Sequence, residues 1–411
     1  MNTEFSTSDS KITDNHVSTK YITFLGVLVF LTILAPALLH TNLEEFIIKR
    51  FNVEILDASL FDAVLYLSYL IVGVGGAVLS NKIGKRRVFI SFGSLGSAIF
   101  FFAMTLTLNY PLLLVFRFIQ GGFTVLCWQT LMILVLDLSS PLNRGKNMGI
   151  FGIFLALAMG GGPVFGGIFA GIGDLVPYYA ATIISSIVTI GSLFLLIEPK
   201  KLTIKSSIID NLSIPFQEPK LVIPGLFNFI DRFHIGFILF SLQFFLQSVL
   251  HVSPETRGMV LGLFATPYIL LQFPVGKLSD KIGRYKPLII GSIATWIIFS
   301  LIGISGSYGL FAVIIVFMML GVSNGFTGPP SMALVGDIVK NEDNATGIGF
   351  FNLLGNIGII LGPITAGILM TYTDFVLVFI IAGLFELSTL LFNLFLIIVV
   401  FKENPFSIKP R

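Results

Sequence analysis

The stretch LSNKIGKRRVFI, at residues 79–90, returns 199 residues later as LSDKIGRYKPLI, at residues 278–289. Each copy follows one long apolar segment and precedes another, so each forms a short basic turn between two hydrophobic segments. A basic turn that is repeated at half the chain length predicts a membrane protein built from two related halves.

The composition supports this prediction. Hydrophobic residues make up 55% of the 411 residues and charged residues only 11%, a balance that excludes an ordinary soluble domain. Apolar runs recur from end to end, each long enough to cross about 30 Å of hydrocarbon as a helix. We therefore predict an all-α membrane protein with twelve transmembrane helices in two six-helix, pseudo-symmetric halves. The predicted spans lie near residues 21–41, 59–80, 88–108, 112–136, 147–171, 177–197, 221–249, 258–277, 287–306, 309–335, 346–371 and 375–401.

The connections between the predicted spans are mostly very short, and the exception follows the sixth span. This longer segment is polar, which is typical of a linker between halves. The first residues are rich in Ser and Thr and lack the basic region and cleavage site of a signal peptide, so we expect a disordered tail. The predicted organisation is a tail at 1–20, an N-terminal half at 21–197, a linker at 198–220, a C-terminal half at 221–401 and a second tail at 402–411.

The distribution of Lys and Arg predicts the orientation in the membrane. Three of the 25 lie in loops on one side, namely Lys49, Arg50 and Arg257, and two lie within spans, namely Arg117 and Arg232. The other 20 lie on the side of the tails, the basic turns and the linker. Because positively charged loops stay in the cytoplasm, we expect both termini to be cytoplasmic, in a multi-pass protein of the plasma membrane.

Further matches between the halves occur at nearly one offset. Asp137 and Asp337 each end an even-numbered span, and Tyr69 and Tyr268 also correspond. Because both halves begin on the same side of the membrane, the repeat is parallel, with its axis along the membrane normal. The corresponding glycines and prolines are Gly149, Gly162, Pro163 and Gly167 in the first half, and Gly349, Gly362, Pro363 and Gly367 in the second.

With these motifs the chain resembles the major facilitator superfamily over nearly its whole length after the tail. The loop motif of that family is matched by GKLSDKIGRYK at 276–286, whereas the first copy, AVLSNKIGKRR at 77–87, departs from it at Ala77 and Asn81. The family's Arg-x-x-Gln-Gly motif of the fourth span appears as RFIQG at 117–121. The fifth span is similar to the motif of proton-coupled antiporters, with an alanine replacing one glycine. The resemblance therefore implies the proton-coupled drug or metabolite antiporter branch.

The basic turns have two interpretations. Their positive charge fixes topology and attracts anionic lipid. Alternatively, Asp280 forms charge-assisted hydrogen bonds or caps a helix in one conformation only, and so acts as a cytoplasmic latch of the outward-open state. Because Asn81 brings no charge, we expect the latch to be stronger around Asp280. The candidate gate residues are Asn81, Lys82, Gly84, Lys85, Arg86, Asp137, Arg144, Asp280, Lys281, Gly283, Arg284 and Asp337.

The glycine and proline segments of the fifth and eleventh spans also have two interpretations. Glycine lets helices approach closely and proline kinks them, so these residues are packing devices in the first interpretation. In the second, which the antiporter resemblance favours, they control sealing between the halves. The candidates are Gly149, Gly162, Pro163, Gly166, Gly167, Gly349, Gly358, Gly362 and Pro363.

Charged groups near the middle of spans are candidates for proton coupling, because each is costly in hydrocarbon. Asp231 and Arg232 lie near the middle of the seventh span, and Glu386 lies at a similar depth in the twelfth. A buried carboxylate beside an arginine suits a group that gains and loses a proton. Asp231 is therefore the first candidate for proton carrier, followed by Glu386 and then His234, which titrates near neutral pH.

A second set of charges lies nearer the outer side. Arg117 lies about 30 Å above Asp137 along its helix, and Asp62 has a comparable height on the second span. We expect Asp62 and Arg117 to pair there. Arg117 is interpreted as ordering its helix or tuning an acid rather than binding substrate.

The resemblance implies a central cavity lined by spans 1, 4, 7 and 10, with contributions from spans 2, 5, 8 and 11. The polar side chains of these spans are mainly amides and aromatics, with few charges. Such a surface suits an amphipathic or weakly charged organic compound better than a phosphate or polycarboxylate. The candidate cavity residues are Gln120, Trp128, Gln129, Asn228, Gln243, Tyr268, Gln272, Asn324, Asn352 and Asn356.

We expect secondary active transport by alternating access, as proton-coupled export of a lipophilic or amphipathic small organic compound. The alternatives are a proton symporter or facilitator that imports a small polar nutrient, such as a sugar or organic acid, and a membrane receptor without transport. No enzymatic activity is expected, since no phosphate loop, metal cluster or nucleophile constellation appears. The expected partners are a small-molecule substrate, protons and membrane lipid. We expect no cofactor, no metal, no nucleic acid and a monomeric chain.

Overall fold

A computed structural model describes residues 18–139, 143–198, 217–339 and 344–406, with the backbone alone at 74, 77, 78, 81 and 344–346. Most of the predicted tails and of the predicted linker lies outside these ranges. Within them the chain forms thirteen α-helices. They are α1 (Thr19–Ala37), α2 (Ile55–Ile83), α3 (Arg86–Leu106), α4 (Tyr110–Asp137), α5 (Arg144–Ile172), α6 (Val176–Leu195), α7 (Val222–Leu250), α8 (Pro254–Ile282), α9 (Tyr285–Ser305), α10 (Leu310–Gly325), α11 (Gly328–Ile338), α12 (Asn344–Tyr372) and α13 (Phe375–Phe395).

These helices make twelve apolar crossings. Each of α1 to α9 forms one crossing, α10 and α11 together form the tenth, and α12 and α13 form the last two. The predicted fold class is confirmed: this is an all-α membrane protein with twelve spans in two six-helix halves. The described chain also contains five short 3-10 or π segments, among them Leu38–Thr41 and Leu43–Lys49 between α1 and α2.

Consecutive connections lie alternately on the two faces of the bundle. We call the face that carries the α2–α3 turn (84–85) and the α8–α9 turn (283–284) the basic-turn face. The other face carries the connections at 38–54 and 251–253 and is called the opposite face.

The tenth crossing differs from the prediction, which drew it as one continuous helix. In the structure α10 ends at Gly325 and α11 begins at Gly328. Pro329 and Pro330 occupy the first turn of α11. Proline lacks the N–H that a continuous helix needs but is tolerated in a first turn, so the helix restarts there. The break leaves Thr327 between the two helices.

Each half packs mainly within itself. In the N-terminal half α3 packs on α4 and α6, while α1 packs on α5; in the C-terminal half α7 packs on α12, and α9 packs on α13. Between the halves, α2 packs on α12 and α5 packs on α8. The most buried crossings are α1 and α7, which lie at the centre of the bundle. Large exposed side chains such as Phe92, Phe194 and Leu391 lie on α3, α6 and α13, where an apolar surface faces lipid.

Candidate functional site

A buried charge cluster in the N-terminal half consists of His40, Asp62 and Arg117, and we call it the N-terminal charge cluster. Oδ1 of Asp62 lies 3.4 Å from Nδ1 of His40 and 3.7 Å from Nη2 of Arg117. All three residues are buried, and the ring of Phe61 covers the guanidinium with its centroid 4.3 Å from Cζ. The structure thus brings Asp62 and Arg117 together, as the sequence predicts, and adds His40 to them.

The guanidinium of Arg117 is also held by Gln120, one turn later on α4. Nη1 of Arg117 donates to Oε1 of Gln120 at 3.0 Å, and Nε2 of Gln120 donates to Oγ1 of Thr124 at 2.7 Å. Gln120 is fully buried, so its amide serves this network. Both carboxylate oxygens of Asp62 and two nitrogens of Arg117 have no hydrogen-bond partner among the residues that the structure describes. Charges left in this condition inside a span are costly and mark a candidate functional site.

A second buried charge cluster, the C-terminal charge cluster, consists of Asp231, His234 and Glu386. Nδ1 of His234 on α7 lies 3.2 Å from Oε2 of Glu386 on α13, and Nε2 lies 3.0 Å from the carbonyl oxygen of Ala382. Because a carbonyl only accepts, Nε2 carries a proton and Nδ1 faces the carboxyl group. The ring of Phe299 lies 4.1 Å from the imidazole. The pair therefore joins α7 to α13 at a buried position.

Asp231 lies one turn before His234 on α7 and contacts the break in the tenth crossing. Oγ1 of Thr327 lies 3.0 Å from Oδ1 of Asp231 and 2.9 Å from the carbonyl oxygen of Asn324, so one hydroxyl proton serves two acceptors. Asp231 also interacts electrostatically with Arg232. Asp231, Asn324 and Thr327 are all buried. The carboxyl group is thereby connected to a discontinuous helix.

Two predicted cavity residues of α8 face the same break. The side chains of Tyr268 and Gln272 lie close to each other, one turn apart on α8. A Cβ on Gly328 would lie 3.5 Å from Oη of Tyr268 and 3.7 Å from Nε2 of Gln272. Tyr268 is also close enough to Asp231 for an electrostatic interaction. The helix break, the buried acid and these two polar side chains therefore belong to one site.

Tyr66 on α2 lies near charged residues of both halves. It is within range of electrostatic interaction with Asp62 and Arg117 of its own half and with Arg232 of the other half. Its ring packs edge-on against that of Tyr69, with centroids 6.2 Å apart. A tyrosine hydroxyl can both donate and accept, so it suits a position between charged groups.

The remaining predicted cavity residues divide by their burial. Nδ2 of Asn228 donates to the carbonyl oxygen of Phe351 at 2.8 Å, which joins α7 to α12. Asn228 and Gln243 are buried, and within the described part of the chain both amide atoms of Gln243 have no hydrogen-bond partner. Trp128, Gln129 and Asn356 are half-buried, whereas Asn352 is exposed.

The glycines of α5 and α12 mark close helix contacts inside each half. A Cβ on Gly162 or Gly166 would overlap the end of α1 and its continuation at Leu38. A Cβ on Gly358 or Gly362 would overlap carbonyl oxygens of α7. Each half thus presses its first helix against its fifth. Pro363 belongs to the same contact between α7 and α12, since its Cδ lies 3.0 Å from a Cβ built on Gly236.

Other glycines bring the two halves together. Gly167 faces Pro254 at the start of α8, and Gly367 faces Ser59 near the start of α2. The carbonyl of Pro163 faces Gly258 in the same region. These contacts lie towards the opposite face, which is therefore closed in this conformation. Gly149 has no neighbouring atom within 4 Å of a Cβ position, and Gly349 is half-buried on α12.

The first basic turn holds a buried ion pair. Nε of Arg86 donates to Asp137 at 2.8 Å, and Nη1 donates to Ser80, also at 2.8 Å. The carboxylate of Glu198 accepts from the backbone N–H of Arg86 at 3.0 Å, so it caps the N-terminus of α3. Gly84 ends α2 with a φ of 69°, a left-handed conformation that favours glycine.

The second basic turn repeats this network. Nε of Arg284 donates to Asp337 at 2.9 Å and Nη1 donates to Ser279 at 2.8 Å, with Asp280 as a further partner of Nη1. Burial lowers the pKa of Arg284, but the hydrogen bonds to both carboxylates outweigh it and raise that pKa above its usual value. Asp280 thus pairs within its own half in this conformation. Gly283 ends α8 with a φ of 92°.

The other gate candidates make up the exposed part of these turns. Lys82, Lys85, Arg144 and Lys281 are all exposed to solvent. The side chain of Asn81 lies outside the described residues. Exposed lysine and arginine side chains suit contact with lipid headgroups or solvent.

Several residues of these sites escape sequence reasoning. His40 and Thr327 are not singled out by any motif, because their partners lie on other helices. The GPP sequence at 328–330 signals the helix break but not the helix that it faces. Arg257 counts only as a loop charge in the sequence, whereas it is buried in the structure and bonded to Glu45 of the other half.

Comparison with known proteins agrees with this fold. Two segments, residues 24–241 and 221–410, match the model of the Major Facilitator Superfamily. The chain is 25% identical over 236 residues to the uncharacterized MFS-type transporter YfkF of Bacillus subtilis strain 168, which covers 57% of this chain and 59% of that protein. It is 28% identical over 149 residues to the class C tetracycline resistance protein of Escherichia coli, over 34% of this chain and 35% of that protein. The matches thus span less than two thirds of these relatives.

Solved structures extend the similarity of fold to nearly the whole chain. The crystal structure of the nucleoside transporter NupG superimposes with a TM-score of 0.76 over 91% of this chain and 99% of that one, at 15% sequence identity. Identity this low supports the fold alone. The family match across both halves, together with the twelve-helix fold, shows that the chain belongs to the major facilitator superfamily.

Proposed function

We propose that this transporter exports a lipophilic or amphipathic small organic compound in exchange for protons, by alternating access. The observation that carries the proposal is the position of Asp231. Its buried carboxyl group lies 3.0 Å from the hydroxyl of Thr327 at a helix break and beside the His234–Glu386 pair. A carboxyl group in this place can take up a proton and pass the change to a discontinuous helix.

The arrangement of contacts between the halves supports alternating access. At the opposite face the halves meet closely, through Gly167 and Gly367. At the basic-turn face the ion pairs of Arg86 and of Arg284, within the described chain, join residues of the same half. With both termini in the cytoplasm, as the charge distribution predicts, this conformation is closed on the outer side.

The proposed role of Asp231 follows from its partners. When the carboxyl group is ionised, it is attracted to Arg232 and accepts from Thr327. When it takes up a proton, it loses the attraction to Arg232 and gains a proton to donate. The two states favour different positions of α7 relative to α10 and α11, so proton binding shifts the balance between the two conformations.

The proposed substrate class rests on the lining of the site. Tyr268, Gln272 and Gly328 present an aromatic ring, an amide and half-buried backbone near Asp231, and the described residues place no cluster of Lys or Arg there. Such a lining fits an aromatic or amphipathic compound with few charges. One relative is named as a tetracycline resistance protein, and tetracycline is a compound of this kind. This similarity supports export as the direction of transport.

The test is transport by the full chain in proteoliposomes with an imposed pH gradient. The panel contains tetracycline, a lipophilic cation, a nucleoside and a sugar. We expect uphill export of a lipophilic compound that stops when the pH gradient is collapsed. Equilibration of the nucleoside or sugar without any response to the gradient would overturn export and favour nutrient uptake.

A variant pair tests the proposed carrier. Asp231→Asn should abolish proton-driven accumulation and retain exchange of substrate down its gradient. Asp174→Asn, at an exposed position on the opposite face, is the matched control and should behave as the wild type. Undiminished proton-driven transport by Asp231→Asn would remove Asp231 from this role.

A further inference from the structure

One buried ion pair joins the two halves at the opposite face. Nη2 of Arg257 on α8 donates to Oε1 of Glu45, which lies in the short segment Leu43–Lys49 of the N-terminal half. Nη1 of Arg257 donates to Oε1 of Gln247 on α7 at 2.5 Å. The side chain of Arg257 is 1% exposed and that of Glu45 is 15% exposed.

Residues before and after Glu45 in the sequence both contact the N-terminal half. Nδ2 of Asn42 donates to the carbonyl oxygen of Asp174, between α5 and α6, at 2.8 Å. The ring of Phe46 packs against that of Tyr178 on α6, with centroids 3.9 Å apart. The segment that carries Glu45 therefore moves with the N-terminal half.

Arg257 is fixed to the C-terminal half in a comparable way, since it lies in the first turn of α8 and is bonded to α7 through Gln247. The same turn of α8 is pressed against α5, where a Cβ on Gly171 would overlap the carboxylate of Glu255. Among the described residues, Nε of Arg257 and Oε2 of Glu45 have no hydrogen-bond partner. In that part of the chain, Glu45 is the acid that forms an ion pair with the buried Arg257 guanidinium.

We propose that Glu45 and Arg257 form a clamp that holds the halves closed at the opposite face and must separate before that face opens. A desolvated ion pair gives up a large interaction when one partner is removed, because the other charge is left buried. The clamp joins two bodies that are each internally fixed, so its energy acts on their relative position. The inference rests on the alternating-access part of the proposed function but needs neither protons nor a particular substrate.

The chain provides a matched control beside the clamp. Glu44, the preceding residue, pairs with Lys49 of its own segment at 3.7 Å, and its side chain is 22% exposed. Glu44→Gln removes the same charge from the same segment without touching the contact between halves. It should therefore leave the conformational balance unchanged.

The test measures the distance between the halves in the full chain by pulsed electron paramagnetic resonance. Spin labels are attached at Leu108→Cys and Tyr308→Cys, two positions on the opposite face, one in each half, that are each 77% exposed. Cys127 is replaced by alanine, since it is the only native cysteine. Glu45→Gln and Arg257→Gln should each raise the fraction of the longer distance by about fivefold or more, the scale of a typical coupling free energy.

The double variant Glu45→Arg with Arg257→Glu exchanges the two charges and should restore the short distance. It tests the pair even if one of the single variants fails to fold. Unchanged distances in Glu45→Gln, or an equal increase in Glu44→Gln, would overturn the clamp. A wild-type distance that never changes between pH values, detergent and lipid would instead contradict alternating access. If the wild type shows no proton-driven export but Glu45→Gln and Arg257→Gln still lengthen the distance, only the proposed export is contradicted.

Discussion

Gly167 and Gly367, which lie 200 positions apart in the two halves, each face a helix of the other half: Gly167 meets the start of α8, and Gly367 meets the start of α2. The duplication therefore places one glycine from each half at the junction between them. Both contacts lie towards the opposite face, where Glu45 and Arg257 form the clamp. A small side chain at these two positions lets the halves close there.

Replacing Gly167 with Val should prevent full closure of the opposite face, because a Cβ at that position overlaps the carbonyl oxygen of Pro254. Overpacking of a close contact costs about 1–3 kcal/mol, which would fall on the closed state alone. We expect slower transport and a larger fraction of the longer distance between spin labels at Leu108→Cys and Tyr308→Cys. The control is Gly152→Val, where no atom lies within 4 Å of the new Cβ. Equal transport rates in the two variants would contradict a role for Gly167 in closure.

The His234–Glu386 pair should act as a brace between α7 and α13 rather than as the proton carrier. Its atoms are buried, and Nε2 of His234 is already bonded to Ala382. Glu386→Gln should lower the free energy of unfolding by about 1–3 kcal/mol, the cost of leaving a buried polar group without its partner. The melting temperature in detergent measures this loss, and proton-driven transport at low temperature should persist.

The double variant His234→Gln with Glu386→Gln is the companion to this measurement. Because it removes both members of the pair, its melting temperature should exceed that of Glu386→Gln alone. If Glu386→Gln keeps its stability and loses the response to a pH gradient, Glu386 is the carrier and the brace is wrong.

The sequence predicts the number and order of the crossings because each is a continuous apolar run whose length is fixed by the thickness of the bilayer. It also brings Asp62 and Arg117 to one height by counting residues along two helices. It does not predict His40 as their third partner, since His40 lies in a 3-10 turn beyond α1. Helical periodicity ends at that turn, so no count along α1 locates the imidazole.

The contacts between halves are harder still to predict from the sequence. Glu45 and Arg257 are 212 positions apart, and both lie next to turns, where charged residues are usually solvated. Their burial follows from the close approach of α5 and α8, which depends on where glycines of two helices meet. The linker and tail boundaries and the cytoplasmic position of the termini stay predictions.

Thr327→Val should uncouple transport from protons without dismantling the helix break. Valine has a similar shape but cannot donate to Asp231, whose Oδ1 lies 3.0 Å from the threonine hydroxyl. We expect a lower ratio of protons to substrate moved, measured as proton flux and substrate flux in the same vesicles. Thr327→Ser keeps the hydroxyl and should retain the normal ratio. A normal ratio in Thr327→Val would show that the hydroxyl does not take part in coupling.

Arg86 and Arg284 make equivalent bonds in the two basic turns but differ in burial, and their replacement should separate structural from surface roles. The side chain of Arg86 is 2% exposed and its partner Asp137 is 6% exposed, whereas Arg284 is 20% exposed and Asp337 is 40% exposed. Lysine keeps the charge but lacks the planar fork in which Nε contacts the carboxylate while Nη1 contacts the serine of α2 or α8, so the second contact is lost. A buried pair that is disrupted costs about 3–5 kcal/mol, and an exposed one about 0–1 kcal/mol.

Arg86→Lys should therefore lower the melting temperature much more than Arg284→Lys does. Arg144→Lys, at an exposed position on the same face, is the control and should leave it unchanged. Equal losses in Arg86→Lys and Arg284→Lys would mean that the pair at the second turn is as well shielded from water as the first. The difference in burial between the two turns would then have no consequence for stability.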